Sequence, residues 1–231
     1  MKVEIWSDIV CPWCYIGKRR FEAALAQFEH RDEVEVVWRS FELDPDAPRE
    51  QREPQAERLA KKYGISLAQV EAMNARLIGE ATKEGLDFRL AEAKGGNTFD
   101  AHRLLHLAAE SGRASAWKER LMKAYFTDGI AIGQAAELVR LAGEAGVDEN
   151  EARAVLEGDR YADTVRADEA RAREFSISGV PFFAIDERYG VSGAQPAEAI
   201  LEALRQAYDD SQIVVVASGD AAQCDDGSCA I

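Results

Sequence analysis

The sequence has 231 residues, of which 47% are hydrophobic and 30% charged, a balance typical of a globular protein that buries a core. Its formal net charge of −14 argues against nucleic acid or an anionic membrane surface as a partner. No apolar run approaches the roughly 20 residues that span a bilayer, and no secretory signal precedes the first strand pattern, so we expect a cytoplasmic protein that does not bind membranes.

The first 50 residues predict a strand at 3–6, a helix from about 14 to 28 and a second strand at 34–38. The helix is indicated by apolar side chains at core spacing, among them Ile16, Phe21 and Phe28. Strand, helix and strand in this order predict two parallel strands joined by a crossover helix.

Two cysteines, Cys11 and Cys14, are separated by Pro12 and Trp13 where the first strand gives way to the helix. At this spacing both fall within one helical turn, close enough to form a disulfide. Unpaired N–H groups and the helix dipole favour a thiolate at a helix N-terminus, so Cys11 is predicted to attack a disulfide and Cys14 to resolve the product. The same spacing is compatible with half of a zinc site or a structural disulfide.

The middle of the sequence, about 52–176, is predicted to be almost purely helical. Ser66 and Gln69 form a capping box that opens one helix, which Gly85 ends. Further amphipathic patterns follow at 99–109, 117–126, 134–145, 149–158 and 160–175.

Three histidines occur, and His102 lies on the apolar stripe of its predicted helix. A catalytic base and a hydrogen-bonded core histidine are both compatible with that position. His106 on the same stripe and His30 near a helix end are interpreted as structural.

The C-terminal part predicts a hairpin of strands at 182–185 and 189–192, then a helix from Pro196 to about Tyr208 and an added strand at 213–216. Strands and helices at both ends, with helices alone between them, predict an α/β fold. In this hypothesis residues 1–50 and 177–216 form one domain, 51–176 are a helical insertion domain, and 217–231 are a tail.

Five segments resemble the DsbA family, and most of all its FrnE-type branch. They are CPWCYIG at 11–17, NTFDAHRLLHLA at 97–108, AYFTDG at 124–129, GVPFF at 179–183 and VSGAQP at 191–196. They cover nearly the whole chain in the right order. The resemblance implies a thioredoxin-like fold with an all-helical insertion.

The resemblance also implies roles for individual residues. Cys11 corresponds to the attacking cysteine, Cys14 to its partner and Pro181 to a cis-proline facing them, with the Val180 backbone open to an extended substrate. Pro12 and Trp13 would contact that substrate, Trp13 through its apolar surface. Their Pro-Trp pair differs from the Gly-Pro of thioredoxin and the Pro-His of classical DsbA, which leaves the redox direction open.

The tail holds a second pair, Cys224 and Cys229, with four residues between them. Some FrnE-type proteins carry such a pair. Gly227 permits the tight turn of a small disulfide ring, and the neighbouring aspartates disfavour a thiolate at Cys224. The hypothesis is an auxiliary redox pair that exchanges electrons with Cys11–Cys14; an adventitious disulfide is the alternative.

The predicted function is a thiol–disulfide oxidoreductase, a reductase or isomerase of protein or peptide disulfides. It needs no bound cofactor and takes electrons from a thiol reductant such as glutathione or a redox protein; protection against oxidative stress would be a natural role. A glutathione-dependent transferase or isomerase of the kappa-class type is an alternative, although such enzymes typically have a lone serine in place of Cys11. A four-cysteine zinc-binding module is another. The oligomeric state is left open.

Overall fold

The N-terminal and C-terminal strands meet in one four-stranded sheet, and seven helices lie between them in sequence. The computed structural model describes residues 1–51 and 53–211; the strand predicted at 213–216, Cys224 and Cys229 lie outside this part. In chain order the strands and α-helices are β1 (Lys2–Ser7), α1 (Pro12–Gln27), β2 (Glu35–Ser40), α2 (Gln55–Tyr63), α3 (Leu67–Lys83), α4 (Phe99–Glu110), α5 (Ala114–Phe126), α6 (Ala135–Glu144), α7 (Glu149–Glu157), α8 (Ala162–Glu174), β3 (Phe182–Ile185), β4 (Tyr189–Ser192) and α9 (Ala197–Ser211).

The strand order in the sheet is β2-β1-β3-β4. β1 and β2 are parallel, with Val3 opposite Val36, which confirms the pairing predicted from the strand–helix–strand order. β3 runs antiparallel to both β1 and β4, so the predicted hairpin is also confirmed. The α/β fold class predicted from the sequence is therefore correct.

Helix α1 is held against the sheet and α9 by its apolar face. Ile16 and Phe21 are buried, and the Phe21 ring stacks on that of Phe183 in β3 with 5.5 Å between centroids. Leu204 of α9 is buried in the same cluster. Since burying such a side chain contributes about 1.5–3 kcal/mol, this packing holds α1 firmly against the sheet.

The helices between β2 and β3 begin largely where the sequence predicts. The capping box at α3 is confirmed, because Gln69 N–H donates to Ser66 Oγ and Ser66 N–H donates to the Gln69 side chain. Helix α2 was not predicted as a separate element: it follows Pro54 without a side-chain cap and has no fully buried residue. Within the described ranges, no helix is long and apolar enough to cross a bilayer.

A buried carboxylate, Glu4 in β1, joins the sheet to α8. Its side chain is fully buried and accepts hydrogen bonds from Arg39 at 2.8 Å and Arg171 at 3.0 Å. Burial alone would raise the pKa of this carboxyl, but the hydrogen bonds and charges of the two arginines lower it from its usual 4.5 to about 2. The ionised form is therefore favoured by folding.

A Glu4→Gln variant should lose stability in a pH-dependent way. Because the folded pKa is depressed, Glu4 stabilises the fold fully above pH 4.5 and loses that effect as the pH falls through about 2. We expect the variant to have about 3 kcal/mol less unfolding free energy at pH 7, with the difference shrinking toward pH 2. Urea unfolding at several pH values measures this. Glu202→Gln, on an exposed face of α9, is the matched control, and an equal pH dependence in both variants would contradict the assignment.

Candidate active site at the start of helix α1

The two cysteines of the motif lie at the N-terminus of α1. Cys11 is the N-cap residue in an extended conformation, and Pro12 occupies the first helical turn. Proline is well suited to this place, because its φ is preset for a helix and its missing N–H would have no partner there. Cys14 follows within the turn, and its N–H donates to the Cys11 carbonyl at 3.0 Å.

The loop before β3 faces these cysteines. Cys11 Sγ donates to the Val180 carbonyl at 3.5 Å, and the Val180–Pro181 peptide bond is cis. Cys11 and Cys14 are free thiols with exposed fractions of 5% and 1%. Trp13 between them is 44% exposed. The structure therefore brings together all the predicted site residues of the described part, with both cysteines buried and Cys11 slightly more exposed than Cys14.

Gly17, one turn beyond Cys14 on α1, is where the helix meets Pro181 most closely. A Cβ at Gly17 would lie 2.8 Å from Pro181 Cγ, closer than nonbonded carbons approach. The absence of a side chain thus allows the proline to sit against α1, next to the cysteines. The glycine falls within the segment that resembles the DsbA family, but its packing role was not recognised from the sequence.

A Gly17→Ala variant should displace Pro181 and destabilise the fold. Gly79→Ala is the matched control, since Gly79 is also inside a helix and a Cβ there meets nothing within 4 Å. Both variants gain the same helix propensity, so the difference in unfolding free energy between them reports the clash. We expect Gly17→Ala to be less stable than Gly79→Ala by about 1–3 kcal/mol in urea unfolding. Equal stability of the two variants would show that Pro181 does not pack there.

Asp8, three residues before Cys11, is a buried acceptor. One carboxylate oxygen accepts from Ile9 N–H at 2.7 Å and from His102 Nε2 at 3.2 Å, and the other accepts from Leu43 N–H at 2.9 Å. Burial raises the pKa of Asp8, but the hydrogen bond from His102, the Leu43 N–H and the charge of Lys118 outweigh it and lower the pKa. Asp8 therefore carries a charge directly behind the motif.

His102 is fully buried and contacts Asp8, which fits the interpretation as a core histidine with one hydrogen bond. Because a carboxylate only accepts, Nε2 must carry the proton. Burial lowers the pKa of the imidazole, so the neutral form is favoured. Its Nδ1 is buried without a hydrogen-bond partner among the described residues.

Lys118 of α5 completes the charged group beneath the cysteines. Its ammonium is fully buried and donates to the Ser7 carbonyl at 3.0 Å. Burial lowers the Lys118 pKa to about 8, opposed by the charges of Cys14, Asp8 and Cys11. For Cys14, burial and its hydrogen bond with Cys11 raise the pKa well above the usual range, and the Lys118 charge acts in the opposite direction.

Asp8 and Lys118 were not predicted as site residues from the sequence. A usable signal was present for the lysine, since Lys118 shares its helical stripe with Leu121, Met122 and Tyr125 at spacings of three, four and seven. A lysine in such a stripe is rarely buried without a specific reason.

The next residue, Glu119, binds the flank of α1. It accepts hydrogen bonds from the Tyr15 hydroxyl at 2.6 Å, the Lys18 ammonium at 2.6 Å and the Arg19 guanidinium at 2.5 Å. Helix α5 therefore contacts both the strand that precedes the cysteines and the helix that follows them.

A groove of about 670 Å³ opens beside Cys11, between the motif and helices α2 and α3. It gives the exposed edge of the cysteine pair a concave surface. No group of three or more His, Cys, Asp or Glu within residues 1–51 and 53–211 is arranged to hold a metal ion. The zinc hypothesis also needs Cys224 and Cys229, which are outside these ranges.

Comparisons with known proteins agree with this architecture. The family described as DSBA-like thioredoxin domain matches residues 2–205. The protein YwbO of Bacillus subtilis (strain 168) is 30% identical over 187 residues, covering 80% of this chain and 86% of its own. A crystal structure of a probable DsbA oxidoreductase from Streptomyces coelicolor has a TM-score of 0.88 at 48% identity and covers 97% of both chains. The structure of a 2-hydroxychromene-2-carboxylate isomerase has a TM-score of 0.65 at 14% identity and covers 92% of this chain and 100% of its own. At this identity the similarity shows a shared fold alone.

Proposed function

Because the chain belongs to the family of DSBA-like thioredoxin domains, we propose that it is a thiol–disulfide oxidoreductase of protein or peptide disulfides. The observation that carries the proposal is the position of Cys11. It caps the N-terminus of α1 with Cys14 in the same turn, and its sulfur lies against the Val180 carbonyl. A pair of thiols within one turn at a helix N-terminus, one of them bordering an open groove, suits disulfide exchange.

In the proposed mechanism the Cys11 thiolate attacks one sulfur of the substrate disulfide. A mixed disulfide forms, and the other substrate sulfur leaves as a thiolate that takes up a proton. Cys14, after losing its proton, attacks Cys11 Sγ. This breaks the mixed disulfide, releases the second substrate thiol and leaves a Cys11–Cys14 disulfide, so two electrons pass from the protein to the substrate.

Burial beneath Cys11 keeps Cys14 protonated until it is needed. The raised pKa of Cys14 prevents it from competing as a first nucleophile. The buried ammonium of Lys118 favours the Cys14 thiolate electrostatically at the resolving step. We propose that the order of attack, Cys11 before Cys14, follows from this difference in environment.

The surroundings of Cys11 would position the substrate. An extended peptide would pair with the backbone of Val180, as an added strand pairs with the edge of a sheet. Pro181 would define the position of that backbone next to Cys11. Pro12 and the exposed ring of Trp13 would contact its apolar side chains. The role of Pro181 comes from the family resemblance, whereas that of Trp13 comes from its exposed position within the motif.

We propose reduction or isomerisation as the direction in a cytoplasmic setting, where thiol pools oppose net oxidation. No bound cofactor is needed, and glutathione or a redox protein would return two electrons to the Cys11–Cys14 disulfide.

The tail pair Cys224–Cys229 would act as an auxiliary redox couple that exchanges with Cys11–Cys14. Replacing both tail cysteines with serine should slow multiple turnover without abolishing it, because the first attack does not use them. Steady-state reduction of a peptide disulfide measures this. Turnover equal to that of the wild type would remove the auxiliary role.

The glutathione-dependent alternative has weaker support. Its typical enzymes carry a lone serine at the attacking position, whereas this chain has two cysteines in one helical turn. A Cys14→Ser protein that kept full glutathione-transfer or isomerase activity would favour it, because that chemistry needs no resolving thiol.

A redox titration of the purified protein tests the proposal directly. Tryptophan fluorescence would be followed in glutathione or dithiothreitol buffers, because Trp6 and Trp13 lie on either side of Cys11 in sequence. We expect one reversible two-electron transition from Cys11–Cys14, and we expect the Cys11→Ser variant to lack it. The midpoint potential of the transition shows whether the protein is a reductant or an oxidant. Absence of that transition would overturn the proposed function.

A further inference from the structure

The exposed apolar side chains of the protein are concentrated in one place. Five large apolar side chains are exposed in residues 1–51 and 53–211, and four of them line the groove beside Cys11. These four are Trp13, Leu43, Tyr63 and Met73, with exposed fractions between 37% and 56%. Clustered exposed apolar surface marks an interaction site, whereas scattered exposed residues do not. We call this surface the α2–α3 groove.

Three cations, Arg58, Lys62 and Arg76, line the same groove. Within the described part of the chain none of them has an ion pair with a carboxylate, although most arginines elsewhere do. Lys62 and Arg76 are exposed. In a chain with a net charge of −14, unpaired cations beside apolar side chains favour an anionic ligand.

Two carboxylates also line the groove, Asp44 and Glu80. Glu80 is already bound by Arg20 and Lys83, at 3.2 and 2.6 Å, so its charge is compensated from outside the groove. The groove therefore presents an excess of positive charge to a ligand.

Two buried polar atoms of the lining have no hydrogen-bond partner among the described residues. One is the donor Arg58 Nε and the other the acceptor Asn74 Oδ1. Asn74 Nδ2 donates to Gln55 at 3.1 Å, which joins α3 to α2 and leaves the amide oxygen free. Because both atoms are enclosed in the wall of the groove, the exposed cations and apolar side chains, and not these two atoms, carry the recognition of a ligand.

The length of the groove fits a short segment of polypeptide. On α3 its lining runs from Gln69 to Glu80, about 16 Å at 1.5 Å per residue. An extended chain covers that distance with about five residues at roughly 3.3 Å each. Cys11 and Trp13 also line the groove, so a segment bound there would lie next to a disulfide placed at Cys11.

We propose that the α2–α3 groove binds an acidic and partly apolar polypeptide segment that flanks the disulfide of a protein substrate. This rests on the proposed function, because the groove lies beside the attacking cysteine. Carboxylates of the segment would lie against Lys62 and Arg76, and an apolar side chain would pack on Tyr63 and Met73. The substrate class is thus an acidic polypeptide disulfide rather than a basic one.

Peptide binding to the full chain tests the groove without using its redox chemistry. Three five-residue peptides with serine in place of cysteine share a central leucine and differ in two flanking positions, which are glutamate, glutamine or lysine. Affinities are measured by calorimetry at low salt. The wild type should bind the glutamate peptide at least about tenfold more tightly than the lysine peptide, and salt should reduce the difference.

Charge reversal in the groove supplies the decisive comparison. A Lys62→Glu/Arg76→Glu variant should invert the order of affinities. Arg173→Glu, an exposed charge reversal on α8, is the matched control and should keep the wild-type order. The proposal is overturned if the three peptides bind the wild type equally or not at all, or if the groove variant behaves like the control. It is also overturned if glutathione disulfide loses affinity in the groove variant while none of the three peptides does.

The experiments distinguish failure of the groove proposal from failure of the proposed redox function. The titration of Cys11–Cys14 in dithiothreitol reports the redox couple without any peptide. A normal couple with no peptide preference would remove only the groove proposal.

Discussion

Replacing Cys11 with serine is expected to abolish disulfide exchange. Cys11 is the more exposed cysteine of the pair, at 5% against 1% for Cys14, and it borders the α2–α3 groove, which Cys14 does not line. A serine hydroxyl has the same position but does not ionise near neutral pH, so it cannot attack a disulfide sulfur. We expect a loss of at least about a thousandfold in the rate of peptide-disulfide reduction with glutathione as reductant.

The companion variant Cys14→Ser separates attack from resolution. It keeps the Cys11 thiol, so it should react once and accumulate a mixed disulfide, which mass spectrometry detects as the protein plus one substrate chain. The Cys11→Ser variant should form none. A mixed disulfide on Cys14 in the Cys11→Ser protein, formed at the wild-type rate, would reverse the proposed roles.

Replacing Asp8 with alanine is expected to destabilise the fold strongly. The carboxylate accepts from two backbone N–H groups and from His102, and all three donors lose their partner in the variant. It also removes one of the negative charges near the buried ammonium of Lys118, leaving that of Asp168. Removing one member of a buried, hydrogen-bonded charge group costs about 3–5 kcal/mol, which is the loss of unfolding free energy that we expect.

Urea unfolding at neutral and acidic pH measures the effect. Because folding lowers the Asp8 pKa, its contribution is complete above the usual value of 3.8 and is lost as the pH falls through the folded value. The destabilisation of Asp8→Ala should therefore shrink in acid. Asp209→Ala, at an exposed position of α9, should change stability by less than about 0.5 kcal/mol, and a similar loss in both variants would contradict the role of Asp8.

The sheet and most helices could be predicted because their signals are local. The parallel pairing of β1 and β2 follows from the order of strand, helix and strand, and the start of α3 follows from the Ser66–Gln69 capping box. Helix α2 lacks both signals, since it has no side-chain cap and directs Tyr63 outward rather than into a core. Its exposed face is explained by the groove that it lines.

The candidate site could be predicted only as far as it is contiguous in sequence. Cys11 and Cys14 form a motif with Pro12, and Pro181 was assigned through resemblance. The group beneath them joins Asp8 to His102, 94 residues further along the sequence, and to Lys118 in the following helix, and these residues meet only through tertiary packing. No spacing rule connects Asp8 with the other two, so the sequence contains a signal for a buried lysine on the stripe of α5 but none for the group that it joins.

The two consecutive residues Lys118 and Glu119 make the helical segment inseparable from the cysteine motif. Lys118 reaches the end of β1 and Glu119 binds the side of α1, so α5 acts as a clamp on the strand–helix junction. Excising residues 55–174 to obtain a minimal redox module would remove both contacts at once. Grafting the four-residue motif onto another scaffold would likewise transfer the sulfurs without their counter-charges. A substitution in α5 can therefore change the environment of a motif that α5 does not itself contain.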